Sequence, residues 1–338
     1  MGGSMRIRLR MWLLGLVFAT LLLANSVAQG QVGPDDASTP PLPGRFNVAW
    51  PTAGGLQCWG DELICSGWRI QRNSVTGHCR LLDGDDCRQA WGSLEECRAA
   101  LEIFQKQGAV APLKGRVVLV LHGLAGSRLL MNSMSRYLKD EGKLQVVSIC
   151  YPSTREDVDA DAAALQRIIA AMPEVQQIDI VAHSLGCIVV RRFLAMQAAA
   201  DGKQDPRIGR FVMLTPPNHG APEAARVVAW DTTGKIAGPA AQQLTAGFAE
   251  LEPKLVTPTC EFGILAGGRG DDGGYNPLVA GDDDGVVPLA SAKLAGAHDF
   301  RLLPVLHVMF PRDEQVQKLT LKFLQEGYFE TAEKRAPL

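Results

Sequence analysis

From Gly115 onward the chain alternates unbroken apolar runs with amphipathic stretches. Val117 to Leu121, Leu144 to Cys150, the run ending at His183, Phe211 to Thr215, Phe262 to Ala266 and Phe300 to Leu303 read as strands. Met131 to Asp140, Val158 to Ala171, the stretch after Ser184 and Asp313 to Gln325 read as helices. Strands that are apolar throughout, with no polar alternate face, are covered on both sides. The expected architecture is therefore α/β, a mostly parallel central sheet with helices on both faces. No internal repeat is apparent.

The first half of the chain follows other patterns. Arg6, Arg8 and Arg10 precede an apolar run from Met11 to Leu23 and the small-residue stretch Ser26 to Ala28. That is the layout of a secretory signal peptide over residues 1–28, cut after Ala28, and the run is shorter than the roughly 20 residues of a membrane span. Residues 29–53 have the Pro, Gly, Asp, Ser and Thr content of a flexible linker. Residues 54–108 read as a small module: strands at Gly67 to Asn73 and His78 to Leu82, a turn at Ser74 to Gly77, and a helix opened by the capping box Ser93–Glu96. Residues 109–328 form the expected catalytic domain and 329–338 a tail. The stretch 222–258 interrupts the strand–helix rhythm, and on sequence it reads equally well as a cap over the site or as a crossover with an extra helix.

A formal net charge of -2 over 338 residues gives no electrostatic ground for a nucleic-acid partner. Export makes a disulfide framework the expectation for the eight cysteines. Five of these, Cys58, Cys65, Cys79, Cys87 and Cys97, lie in the N-terminal module, which is read as cysteine-stapled around Trp59 and Trp68. No Cys-x-x-Cys pair suggests zinc, and the Asp-rich loop at 281–285 matches no defined calcium loop, so neither metal nor cofactor is expected.

The sharpest chemical signal is Ala182-His183-Ser184-Leu185-Gly186. Small residues two before and two after a serine suit a crowded strand-to-helix corner that lifts the hydroxyl above the sheet. Ser184 is the candidate nucleophile. A serine needs a base and an orienting acid. Of the six histidines, His307 sits after a strand-like run and before the last helix, where a parallel sheet presents reactive groups. It is the expected base. Asp284, before Gly285 and the apolar Val286-Val287, is the expected acid, with Asp282 second; Asp282 and Asp283 are otherwise read as a solvated loop. The oxyanion donors are the backbone N–H groups of Leu185 and of Leu124, which follows Gly123. His122, Gly123, His183 and His219 are placed around the substrate, His122 also holding its own loop.

Taken in order, Leu121-His122-Gly123, the Ser184 corner, Asp284-Gly285-Val286-Val287 and His307 resemble the α/β-hydrolase fold serine hydrolases, and among them bacterial lipases and carboxylesterases, with Thr215 to Gly220 similar to the turn after the nucleophile helix and strand. The resemblance spans about Gly115 to Gln325. It implies acyl transfer from an ester or lipid through an acyl-enzyme without a cofactor, with transient contact at a lipid interface left open. An acyltransferase or amidase would use the same residues. A non-catalytic surface-binding protein on this fold is the more distant alternative. Oligomeric state and acyl-chain length are not legible.

Overall fold

The computed structural model describes residues 57–221 and 238–338. The expected signal peptide, the whole of the linker and residues 222–237 of the interrupting stretch lie outside the described residues.

Among the described residues ten strands form two sheets. The larger comprises β5 (Gly115–Leu121), β6 (Gln145–Ile149), β7 (Val175–His183), β8 (Ile208–Leu214), β9 (Glu261–Gly267) and β10 (Asp299–Leu303) in the order β10-β9-β8-β7-β5-β6. Every pairing is parallel. The apolar runs explain why both faces are covered. Val117, Leu119 and Leu121 of β5 point into one core, with Val158, Leu165 and Ile168 of α3 (Val158–Ala170) and Val189 and Phe193 of α4 (Leu185–Asp201). Val118 and Val120 point into the other, with Met134 and Leu138 of α2 (Asn132–Asp140) and Val316, Phe323 and Leu324 of α8 (Glu314–Glu326). Each such buried side chain contributes about 1.5–3 kcal/mol relative to exposure. The period of two along each strand thus divides one apolar run between two cores.

The smaller sheet is antiparallel, β1 (Trp59–Cys65), β2 (Trp68–Asn73), β3 (Cys79–Leu82) and β4 (Arg88–Gly92), in sequence order. Helix α1 (Leu94–Lys106) covers it with Cys97, Ala100, Leu101 and Phe104, and its capping box is formed, Ser93 Oγ accepting from the Glu96 N–H and Glu96 from the Ser93 N–H. Only β2 and β3 were expected. β1 carries Gly60, Asp61 and Glu62, and β4 is interrupted by Gln89 and Gly92, so neither has a strand-like apolar pattern.

Among the described residues no disulfide staples the module. Cys65, Cys79 and Cys97 are buried as small apolar side chains, and a polar network supplies much of the rest. Asp61, 1% exposed, accepts from Arg69 at 2.7 Å and from Gln71 at 2.8 Å. The same network reaches the large sheet. The Asp61 N–H donates to Cys150 O at 2.8 Å, and the Cys150 N–H returns to Asp61 Oδ2 at 2.8 Å, just beyond β6. Glu62 accepts from Arg167 of α3 at 2.6 Å, and Ile64 belongs to the core beneath that helix.

After residue 237 the chain continues as α5 (Gly238–Leu244) and α6 (Phe248–Leu251), which bury Ala240, Leu244, Phe248 and Leu251 in the same core. A short α7 (Leu289–Ala292) precedes β10. Among the described residues no helix is long and apolar enough to cross a membrane.

Candidate active site

The site is assembled at the C-terminal edge of the parallel sheet, where β5, β7, β9 and β10 give way to loops. Between β7 and α4 the chain turns at Ser184, with φ 54° and ψ -123°. A non-glycine residue at positive φ costs about 1–3 kcal/mol and persists where its surroundings over-determine it. Here the Ser184 N–H is tied to Leu214 O at 2.9 Å, and α4 begins at the next residue. The requirement for small neighbours is steric. A Cβ on Gly186 would lie 2.8 Å from His122 O, and one on Gly123 would lie 3.0 Å from Ser184 Cβ.

Leu185 is the first residue of α4, so its N–H has no acceptor within the helix. The other expected donor lies in the turn Gly123–Gly126, closed by the Gly126 N–H to Gly123 O at 3.1 Å. Ala125, third in the turn, has φ 53°. Such a turn leaves the N–H of its second residue, Leu124, without an acceptor inside it.

The acid and base come from two loops. Asp284 Oδ1 accepts from the Val286 N–H at 3.0 Å and the Val287 N–H at 2.7 Å, leaving Oδ2 to accept from His307 Nδ1 at 2.7 Å. The His307 N–H also donates to Asp284 O at 2.9 Å. With Nδ1–H committed to the carboxylate, Nε2 is the nitrogen free to take a proton. Asp284 is 1% exposed, while Ser184 and His307 are each 7% exposed. His183 connects the two halves: its Nε2–H donates to His307 O at 3.0 Å, and the two rings lie 4.8 Å apart. Burial, then the neighbouring His307, holds the His183 pKa well below the usual imidazole range. Among the described residues no hydrogen bond joins Ser184 to His307, a looseness common in unliganded nucleophile–base pairs.

Two of the four residues expected around the substrate require correction. His122 is fully buried: its Nδ1–H donates to Gly123 O at 2.8 Å, and its ring stacks on Tyr151 at 4.1 Å. Burial lowers its pKa to about 4. It is a neutral brace behind the turn. His219 is exposed and paired with Glu252 Oε1 at 2.9 Å, and among the described residues no hydrogen bond or ring contact links it to Ser184, Asp284 or His307. Gly123 and His183 do adjoin the serine and the base.

The acidic loop also departs from expectation. Asp283, read as solvated, is fully buried, accepting from the Asn276 N–H at 3.1 Å and the Gly285 N–H at 2.6 Å. Asp282 accepts from the Arg269 N–H at 2.7 Å and the Gly270 N–H at 2.9 Å, so it shapes the loop without reaching His307. Sequence reasoning passed over Arg191, whose buried guanidinium donates to Asn218 O at 3.0 Å and Val256 O at 2.9 Å, pinning the loop after β8. Burial lowers its pKa to about 10. A cation inside the apolar run Ile188-Val189-Val190 was the available signal. Among the described residues no cluster of three or more His, Cys, Asp or Glu side chains is arranged to hold a metal.

A parallel sheet covered on both faces, a serine on a strained strand-to-helix corner, and an Asp–His pair on later loops at the same sheet edge make this an α/β-hydrolase fold. A family model described as a domain of unknown function, DUF7379, matches residues 85–236. No curated protein matches the chain. Among solved structures, the chain is similar to phospholipase PlaB from Legionella pneumophila at 16% identity and TM-score 0.47, over 63% of this chain and 57% of that one. It thus spans a little over half of the phospholipase. It is also similar to the lipase BlEst2 from Bacillus licheniformis (17% identity, TM-score 0.45, 62% of this chain and 90% of that one). Est1E from Butyrivibrio proteoclasticus, solved with ferulic acid bound, is similar at 16% identity and TM-score 0.43, over 63% of this chain and 88% of that one.

Proposed function

We propose that this chain is an exported serine hydrolase that cleaves carboxylic esters through an acyl-enzyme. The observation that supports it most is the Asp284–His307 pair at 2.7 Å, held next to the strained Ser184 corner by His183. In this reading His307 Nε2 takes the Ser184 proton as Oγ attacks the ester carbonyl. The oxyanion rests on the Leu124 and Leu185 amides, and the His307 imidazolium protonates the departing alcohol. Water, deprotonated by the same imidazole, then releases the acid. Asp284 keeps Nδ1 protonated and stabilises the imidazolium without itself taking the proton. Export is part of the proposal, with cleavage after Ala28.

The test is hydrolysis of p-nitrophenyl esters of increasing acyl length by the mature protein and by Ser184→Ala. The variant is expected to keep its fold and lose roughly 10³- to 10⁶-fold in kcat. Equal rates in the two proteins would refute the mechanism, and a competing alcohol acceptor would reveal acyl transfer. N-terminal sequencing of secreted material checks the cleavage site.

A further inference from the structure

The N-terminal module touches the oxyanion turn itself just before β1. Gln57 Nε2 donates to Gly126 O, the last carbonyl of the turn that carries Leu124. Its Oε1 accepts from the Thr154 N–H at 3.0 Å, the Thr154 hydroxyl at 2.9 Å and the Ser153 hydroxyl at 3.2 Å. One side chain therefore ties the Gly123–Gly126 turn to the loop after β6. The same two segments are joined a second time. The Tyr151 hydroxyl donates to His122 O, and Asp61 of β1 grips the main chain of Cys150, immediately before Tyr151. Asp86, before β4, pairs with Arg128 just beyond the turn.

The turn needs such support. Ala125 holds φ 53° without being glycine, and strain of this kind relaxes unless neighbours oppose it. Relaxation would swing the Leu124 amide, whose use as an oxyanion donor depends on its direction to a fraction of an ångström. Two rings of the small sheet are meanwhile engaged elsewhere: Arg80 covers Trp59 at 3.8 Å, and Trp68 packs on Phe104 at 4.6 Å. Trp59 and Trp68 are thus packing the module itself.

We propose that the N-terminal module is a brace for the oxyanion turn, with Gln57 as the positioning residue that sets the Leu124 amide. The proposal rests on the serine-hydrolase reading of the site. Gln57 touches no reacting atom; it acts through Gly126. Gln57→Met keeps the stem of the side chain and removes every hydrogen bond. Gln57→Glu keeps the acceptor to Ser153 and Thr154 and replaces the donor to Gly126 with a carboxylate oxygen that repels that carbonyl.

The experiment uses the mature full chain and reads four quantities for wild type, Gln57→Met and Gln57→Glu: kcat, KM, the inhibition constant of an alkyl boronic acid, and the rate of Ser184 labelling by a fluorophosphonate. The boronate adds to Ser184 as a tetrahedral anion. In the labelling reaction, Ser184 Oγ displaces fluoride from phosphorus while the phosphonyl oxygen occupies the oxyanion hole. Both variants are expected to lose about 10- to 100-fold in kcat, in boronate affinity and in labelling rate, with KM within about threefold and the melting temperature near wild type. A kcat within twofold of wild type in both variants overturns the brace while leaving the hydrolase reading intact. A lower kcat with boronate affinity unchanged also overturns it, because the loss would then lie outside the oxyanion hole. If the wild type fails to hydrolyse esters, labelling still tests the brace. A wild type that does not label overturns brace and hydrolase together.

Discussion

The two sheets of this protein are stabilised by different means. The parallel sheet is apolar on both faces, and its strands β5 and β7 to β9 place Val, Leu, Ile, Met and Phe in two separate cores. The antiparallel sheet has an apolar side toward α1, but its other side carries Asp61, Arg69, Gln71 and Arg80, all buried and hydrogen-bonded. Apolar packing tolerates adjustment. A buried polar network requires nearly all its partners at once, because a lone charge left behind is expensive. The difference suits their positions: the large sheet supplies a rigid platform, and the small one fixes a register at the junction beside β6.

The contrast can be broken most severely at Asp61. Asp61→Ala leaves the Arg69 guanidinium buried without its carboxylate and is expected to cost about 3–5 kcal/mol, read by urea unfolding. A loss under 1 kcal/mol would mean that the polar side of the module contributes little. A second probe lies at the end of β5. His122 has a folded pKa of about 4 against an ordinary value of 6.5, so between those values the unfolded chain binds more protons. Its contribution is present above pH 6.5 and is lost as pH falls toward 4, to a total of about 3 kcal/mol. Unfolding measured from pH 7 to 4 should show this slope, flattened in His122→Gln. The smallest effect has the opposite sign. Asp161 of α3, the helix that packs on β1, is buried with neither carboxylate oxygen hydrogen-bonded, and burial raises its pKa well above the usual range. A raised carboxyl contributes most below its unfolded pKa and increasingly destabilises the fold as pH rises through the folded one. Asp161→Asn should therefore stabilise the protein at pH 8 by roughly 1–3 kcal/mol, with little change at pH 3.

Much of the platform was legible because its signals are local. A run such as Val117 to Leu121 states its own burial, and the capping box at Ser93 and Glu96 states where a helix begins. The corner at Ser184 was legible for the same reason, since crowding at a sharp turn restricts residues two positions away. β1 was missed because its burial is polar and completed by partners distant in sequence: Asp61 needs Cys150, and Glu62 needs Arg167. His122 was placed near substrate because sequence shows an imidazole beside a glycine turn, whereas its stacking on Tyr151 exists only in space.

The sequence by itself determined the periodicity, the order of the strands along the chain and the residue types able to act as nucleophile, base and acid. It could not rank Asp284 above Asp282 by geometry, pair His183 with the His307 carbonyl, or connect Gln57 to Gly126. Those choices belong to the tertiary structure. Hydrogen bonds between groups up to 124 residues apart depend on distance and angle after folding, and no local pattern of polarity encodes either.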